Sequence, residues 1–219
     1  MARPPGDSLE PFFEAFPALL GRGATPAERG AFERYARLLV LWSRTHNLTA
    51  LRTRREIGQG LFLDSMLFHS LLGRGPLRVL DIGAGAGIPS VPLRMVEPRL
   101  SLTLIESRRK AVSFLRALVR ELAMPDITVL HGRAEGIATQ TPELKGTFDV
   151  VLTRAVGPSA HLIETAMNYL RVGGRFVASG PPVADSMPKL DWQGHAQWEV
   201  VDFPKVGLIR SFLVVAKED

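Results

Sequence analysis

Val79-Leu80-Asp81-Ile82-Gly83-Ala84-Gly85-Ala86-Gly87-Ile88-Pro89 is the stretch that decides the fold. An apolar run ends in an acid, passes through three alternating glycines and leads into a helix start. Glycine tolerates backbone conformations and close approaches that a Cβ forbids, so such a loop can lie against a bulky ligand. Asp81, at the carboxyl end of the strand, can accept hydrogen bonds from a cation. Downstream, Leu102-Thr103-Leu104-Ile105-Glu106 ends a second apolar strand in another carboxylate. At the tip of a neighbouring parallel strand, that carboxylate can hold the two hydroxyls of a ribose. Together these features describe a crevice for an adenosine-containing cofactor.

The glycine spacing separates two such cofactors. A dinucleotide loop reads G-x-G-x-x-G/A, because a diphosphate must sit on the helix N-terminus. Counted from Gly83 the last position falls on Ile88, and counted from Gly85 it falls on Ser90, so neither frame fits. The pattern present, D-x-G-x-G-x-G, is the usual one for S-adenosyl-L-methionine, which carries no phosphate. On this reading Asp81, Gly83, Gly85, Gly87 and Glu106 are the expected cofactor-binding residues.

Composition narrows the choices further. The chain of 219 residues, 46% apolar, suffices for one substantial core. No stretch approaches the roughly 18 apolar residues of a membrane helix. The first residues, Met1-Ala2-Arg3-Pro4-Pro5-Gly6, lack an apolar signal region, so a cytoplasmic protein without a membrane partner is expected. Cysteine is absent, which excludes disulfides, thiolate metal sites and pyrimidine C5 methylation through a cysteine adduct. The five histidines form no i, i+4 pair, so no metal site is expected. Within a net charge of +5, Arg52, Arg54 and Arg55 form one basic cluster and Arg108, Arg109 and Lys110 another. Such clusters suit a phosphate-bearing substrate.

Residues 1–73 read as a helical extension and 74–219 as an α/β domain. Phe32, Tyr35, Leu38, Leu39 and Trp42 form an apolar stripe at helical spacing after Pro26, and a second helix is predicted over 56–72. Strands are predicted at 77–82, 101–106, 127–131, 148–153 and 173–179, with helices at 88–96, 108–123 and 159–171. Such alternation implies a mainly parallel sheet covered on both faces. Segments 198–201 and 209–215 read as a closing antiparallel hairpin. The fold class expected is α/β, a class I S-adenosyl-L-methionine-dependent methyltransferase of Rossmann-like type.

Each methyl acceptor leaves a different mark. Enzymes acting on exocyclic amines of bases place hydrogen-bond acceptors after the fourth strand, whereas here Phe148-Asp149-Val150-Val151-Leu152-Thr153 runs into Arg154. N7 of guanine carries a free lone pair and no proton, so its methylation needs orientation rather than a general base. An arginine suits that acceptor through O6 or a phosphate.

Several motifs resemble the bacterial 16S ribosomal RNA guanine-N7 methyltransferase family (GidB/RsmG). Trp42-Ser43-Arg44-Thr45-His46-Asn47-Leu48-Thr49 is similar to its W-x-K-x-x-N-L-T segment, and Leu63-Asp64-Ser65 to its H-x-L-D-S helix. Asp81 to Pro89 resembles its cofactor loop, and Ser107 to Leu115 its S-x-x-K-x-x-F-L segment. Arg133-Ala134-Glu135 and Thr153-Arg154-Ala155 match its R-x-E and S-R-A stretches. The resemblance implies cofactor contacts at Gly83, Ile88, Ala134, Glu135 and Arg154. It implies an RNA side at Asn47, Asp64, Ser65, Lys110 and Arg210, with Arg154 and Lys110 acting on the acceptor. The implied partner is 16S rRNA or a small-subunit assembly intermediate, met by a monomer. Three positions depart from the pattern: Leu61 replaces a histidine, Ser90 a glycine, and Gly180-Pro181 stands for Leu-Lys-Gly. These departures leave open a cofactor-binding paralogue with altered RNA specificity or no activity, and a methyltransferase for a small molecule or protein.

Overall fold

The computed structural model describes residues 7–154, 159–180 and 195–218, so 155–158 and Pro181 lie outside the described residues. One seven-stranded sheet contains β1 (Leu77–Ile82), β2 (Leu100–Glu106), β3 (Ile127–His131), β4 (Phe148–Thr153), β5 (Leu170–Ser179), β6 (Ala196–Phe203) and β7 (Leu208–Ala216). Their order is β3-β2-β1-β4-β5-β7-β6. The first five run parallel, while β7 lies antiparallel to both β5 and β6. From β1 the chain steps outward to β2 and β3, then crosses back to β4. That reversal opens a crevice beyond the carboxyl ends of β1 and β4, the place where such sheets bind ligands.

Helices cover both faces. On one side α1 (Glu10–Glu14), α2 (Phe16–Leu20), α3 (Pro26–His46), α6 (Ser90–Val96) and α7 (Arg109–Glu121) contribute to a core that includes Val79, Leu102 and Leu104 of the sheet. Its centre is aromatic, with ring centroids 4.8 Å apart for Phe12–Phe32 and 5.0 Å apart for Phe32–Phe62. Thus the N-terminal helices and the sheet share one buried interior. On the other side α8 (Ala134–Gln140) and α9 (Ala160–Tyr169) pack on Leu80, Ile105 and Val151. Adjacent residues such as Val79 and Leu80, or Leu104 and Ile105, feed opposite cores, so these parts of β1 and β2 are apolar on both faces.

The long helix α3 starts with a capping box: Thr25 Oγ1 accepts from Glu28 N–H at 3.2 Å, and Glu28 Oε2 accepts from Thr25 N–H at 2.7 Å. It ends at Asn47, whose φ of 48° is left-handed.

The single helix expected over 56–72 is instead α4 (Arg54–Ile57), a π-helical turn (Gly58–Phe62), α5 (Leu63–Met66) and a 3-10 turn (Leu67–Leu71). Gly58 and Gly60 contribute little helix propensity. A Cβ on Gly58 would meet Leu9 at 2.8 Å, so close packing on the N-terminal segment fixes the wider turn. Three other boundaries differ from expectation. Helix α6 begins at Ser90, two residues late; α9 ends at Tyr169; and β5 starts at Leu170, absorbing Gly173 (φ 76°) and Gly174 in an irregular pairing with β4. Helix α8 was not expected, because seven residues with few apolar positions give no period to read.

Candidate active site

The loop after β1 is held by the tip of β2. Gly83 and Ala84 N–H donate to the Ile105 carbonyl at 2.9 and 3.1 Å. Gly85 N–H donates to Glu106 Oε2 at 2.8 Å, and Arg108 N–H to Glu106 Oε1 at 2.7 Å. Arg108 Nε also donates to Oε1 at 3.3 Å, so Oε2 of the buried Glu106, with one N–H on it, keeps the more lone-pair capacity for a further donor. All three glycines have positive φ: 76° at Gly83, 55° at Gly85 and 83° at Gly87. Gly85 faces the Arg108 guanidinium and the Glu106 carboxylate, which its Cβ would approach to 3.6 and 4.0 Å. Gly87 is closely packed. Its Cβ would come within 2.8 Å of Val91 and 3.0 Å of the Tyr35 hydroxyl, so it lets α3 and α6 close on the loop. The Tyr35 hydroxyl completes that contact by donating to the Ala86 carbonyl at 2.5 Å.

Asp81 is fully buried. Burial pushes its carboxyl up to about 7, the Ser90 hydroxyl and amide pull it back, the Glu106 charge adds to the rise, and Arg154 opposes it. The Ser90 hydroxyl donates to Asp81 Oδ2, whereas Oδ1 has no hydrogen-bond partner among the described residues.

From Gly83 the crevice extends in two directions. One half is lined by Ile82, Ile105, Gly132, Ala134, Glu135 and Leu162. There the Glu106 carbonyl accepts from Gly132 N–H at 3.0 Å, and the Tyr169 hydroxyl donates to the Ala134 carbonyl at 2.5 Å. Burial and the nearby Glu135 charge push the Tyr169 phenol up to about 12, so it stays a donor. Ala134 and Glu135 open α8, in place of the simple turn expected. The Glu135 carboxylate lies 3.1 Å from His161 Nε2.

The other half is lined by Leu48, Thr49, Leu61, Ile88, Arg108 and Arg154, together with Gly83 to Ala86. Arg154 Nε donates to Asp64 Oδ2 at 2.7 Å, and Arg210 Nε and a terminal nitrogen donate to Asp64 Oδ1 at 3.0 and 2.7 Å. One buried carboxylate thus joins two guanidiniums, one from the residue just after β4 and one from β7, leaving net positive charge at the crevice mouth. The π-helical turn adds the Gly60 carbonyl, 3.5 Å from Arg154.

Not every expected residue reaches this place. Ser65 is fully buried and donates to the Leu61 carbonyl at 2.7 Å, within its own helical segment. Asn47 is exposed and ends α3, while Lys110 is exposed in the first turn of α7. Arg54 leaves the first basic cluster: it is 14% exposed and held by Asp7 and Glu33, each at 3.0 Å. Gly180 leaves no room for a side chain, because its Cβ would meet Trp198 at 2.4 Å. Sequence reasoning missed Leu48, Thr49 and the Ser90–Asp81 bond as parts of the site; Ser90 left a trace as a departure from a glycine.

Sheet order, glycine loop and paired acidic strand tips define a class I, Rossmann-like methyltransferase fold. Solved structures agree on the fold. A putative S-adenosyl-L-methionine-dependent methyltransferase from Methanococcus maripaludis superposes with TM-score 0.55 at 14% identity, over 90% of this chain and 97% of that one. Aeropyrum pernix fibrillarin, solved with natively bound S-adenosyl-L-methionine, gives 0.50 at 17% identity over 65% and 67%. A family model described as rRNA small subunit methyltransferase G matches residues 28–181. Ribosomal RNA small subunit methyltransferase G of Streptococcus pyogenes serotype M12 (strain MGAS9429) is 37% identical over 167 residues, 75% of this chain and 70% of that protein. Its namesake from Streptococcus equi subsp. zooepidemicus (strain MGCS10565) is 38% identical over the same shares. The chain belongs to the rRNA small subunit methyltransferase G family.

Proposed function

We propose that this protein transfers a methyl group from S-adenosyl-L-methionine to N7 of a guanine in small-subunit (16S) ribosomal RNA, acting as a cytoplasmic monomer. Family membership supports the donor and the RNA substrate. The observation that carries the choice of acceptor is Arg154, which lines the same half of the crevice as the glycine loop and is tied through Asp64 to Arg210.

The residues fit the donor. Asp81 Oδ1 is a buried acceptor without a partner among the described residues, suited to a cation, and the left-handed Gly85 keeps the loop free of a Cβ beside Glu106. Bound there, the donor supplies a methyl group on a positively charged sulfur. Glu106 accepts the ribose hydroxyls, Gly83 and Ile88 line the crevice, and Ala134 and Glu135 meet the adenine edge. Gly87 contributes by packing the loop. On the acceptor side, Arg154 holds guanine O6 or a phosphate and leaves N7 free. Asp64 and Arg210 fix the angle of its guanidinium, and Lys110 and Asn47 flank the RNA path. Among the described residues lining this half there is no carboxylate or imidazole, and N7 requires none. Orientation in a dry pocket is the main source of rate.

The test is incubation with methyl-labelled donor and, separately, naked rRNA, partly assembled small subunits and bulk protein, followed by mass mapping of modified nucleotides. Label on a guanine N7 of small-subunit RNA is expected. Label only in protein or small molecules removes the RNA reading. Donor binding without label anywhere indicates an inactive relative.

A further inference from the structure

Ser90 stands where the resembling family has glycine, and it is buried with its hydroxyl on Asp81. A glycine offers only its amide to that carboxylate. Here the hydroxyl of the residue at the first position of α6, directly after the loop, donates to Asp81 Oδ2. That hydrogen bond holds Oδ2 of a buried acid and leaves Oδ1 as the unused acceptor among the described residues. Buried polar atoms are nearly always paired, so an unused carboxylate oxygen two residues before Gly83 points to a partner that arrives with a ligand.

Resting on the donor reading above, we infer that Ser90 is a positioning residue of the donor site. Its hydroxyl holds Asp81 as the charged, oriented acceptor for the donor's cationic end, so donor uptake is linked to a proton at Asp81. The surroundings set the direction of that linkage. Glu106 from β2 and burial disfavour a charge on Asp81, whereas Arg154 just after β4 and Ser90 from α6 favour it. Tyr35 from α3 is also near, but its phenol is pushed well above its ordinary value and remains neutral. A carboxyl poised at about 7 is half protonated near neutrality, and only its charged form attracts a cation. Removing the Ser90 hydroxyl takes away a bond that favours the charged form, which moves the proton's departure to higher pH.

The experiment measures S-adenosyl-L-methionine affinity by calorimetry from pH 6 to 9 for the natural protein, Ser90→Gly, Ser90→Ala and Asp81→Asn. The donor's own titration is common to all four, so differences between profiles are the readout. The natural protein should gain roughly five- to tenfold in affinity between pH 6 and 7.5. Both Ser90 variants should shift the profile up by about one pH unit, binding about fivefold more weakly at pH 7 and within about twofold of the natural protein by pH 9. Asp81→Asn should bind weakly and lose that pH dependence. A Ser90 profile that overlays the natural one, or is weaker by one factor at every pH, overturns the inference. So does an Asp81→Asn profile that rises between pH 6 and 7.5 in parallel with that of the natural protein. If the natural protein binds no donor at any pH, the donor reading itself fails, a result distinct from binding without the shift.

Discussion

The two halves of the crevice are built by different means. The half at Ala134 and Glu135 comes from the tips of β1, β2 and β3 and from the helix that follows, with its shaping hydrogen bonds made between neighbouring strands and across to α9. The half at Arg154 needs the end of α3, the π-helical turn, α5, β4 and β7, and its central carboxylate joins partners 90 and 146 positions away in the chain. The first half goes with a fold shared by proteins of under 20% identity. The second depends on N-terminal helices that must dock before Arg154 finds Asp64. Donor binding and acceptor positioning should therefore fail separately, except where one contact serves both.

That shared contact is Gly87, and breaking it should have the largest effect. In Gly87→Ala a left-handed alanine costs about 1–2 kcal/mol and the overpacking of Val91 and Tyr35 about 1–3 more. A total near 3 kcal/mol corresponds to a fall in Tm of roughly 6–12 °C for a chain of this size. Donor and RNA binding should weaken together. Gly85→Ala is the control, because its Cβ meets nothing closer than 3.6 Å. It should lose about 1 kcal/mol of stability, with its damage confined to donor affinity. Equal falls in Tm for the two variants would mean that α3 does not clamp the loop.

Asp64→Asn comes next. Removing one partner of a buried ion pair costs about 3–5 kcal/mol. Arg154 and Arg210 are 24% and 28% exposed, so water offsets part of that cost and about 2–3 kcal/mol is expected from urea unfolding. Methylation should collapse while donor affinity stays within twofold. A parallel loss of donor affinity would erase the distinction between the halves. Arg154→Ala sharpens the same point with less disturbance: turnover should drop more than about tenfold, roughly 1.4 kcal/mol at the transition state. An unchanged rate in a folded Arg154→Ala protein removes this guanidinium from the acceptor site.

The same division explains what could be read from the chain. The glycine loop, Glu106 and the strand–helix alternation are local patterns, and the sheet followed them to within a few residues. Asp64 and Arg210 could be placed on the RNA side only through resemblance, since nothing local says that residues 146 apart meet. Ser65 shows the limit of motif reading: beside Asp64 in sequence, it points back into its own helix. Gly87 shows another, because a glycine needed for ligand approach and one needed for helix packing look alike as letters. The basic cluster at Arg52 to Arg55 lost its central member because charge counting cannot see that Asp7 and Glu33 fold over Arg54.

Lys110 carries the smallest prediction and the most direct test of where the acceptor half ends. Arg109 and Lys110 occupy the first turn of α7, which contains no acid. Cations there oppose the helix dipole by about 0.3–1 kcal/mol each. In the free protein Lys110→Ala should therefore leave stability unchanged or raise it by a few tenths of a kcal/mol. If the side chain meets an RNA phosphate, its removal should weaken RNA binding, and the slope of log affinity against log salt should become shallower by about 0.7. Arg154→Ala should differ: its main effect is on turnover, with a modest fall in donor affinity near pH 7 because Arg154 favours the charged form of Asp81. The two signs at Lys110, stability held and RNA affinity lost, separate a phosphate contact from a solvated charge. Titration of small-subunit RNA at several salt concentrations measures the slope, and an unaltered slope returns Lys110 to solvent and moves the boundary of the acceptor half inward to Arg108.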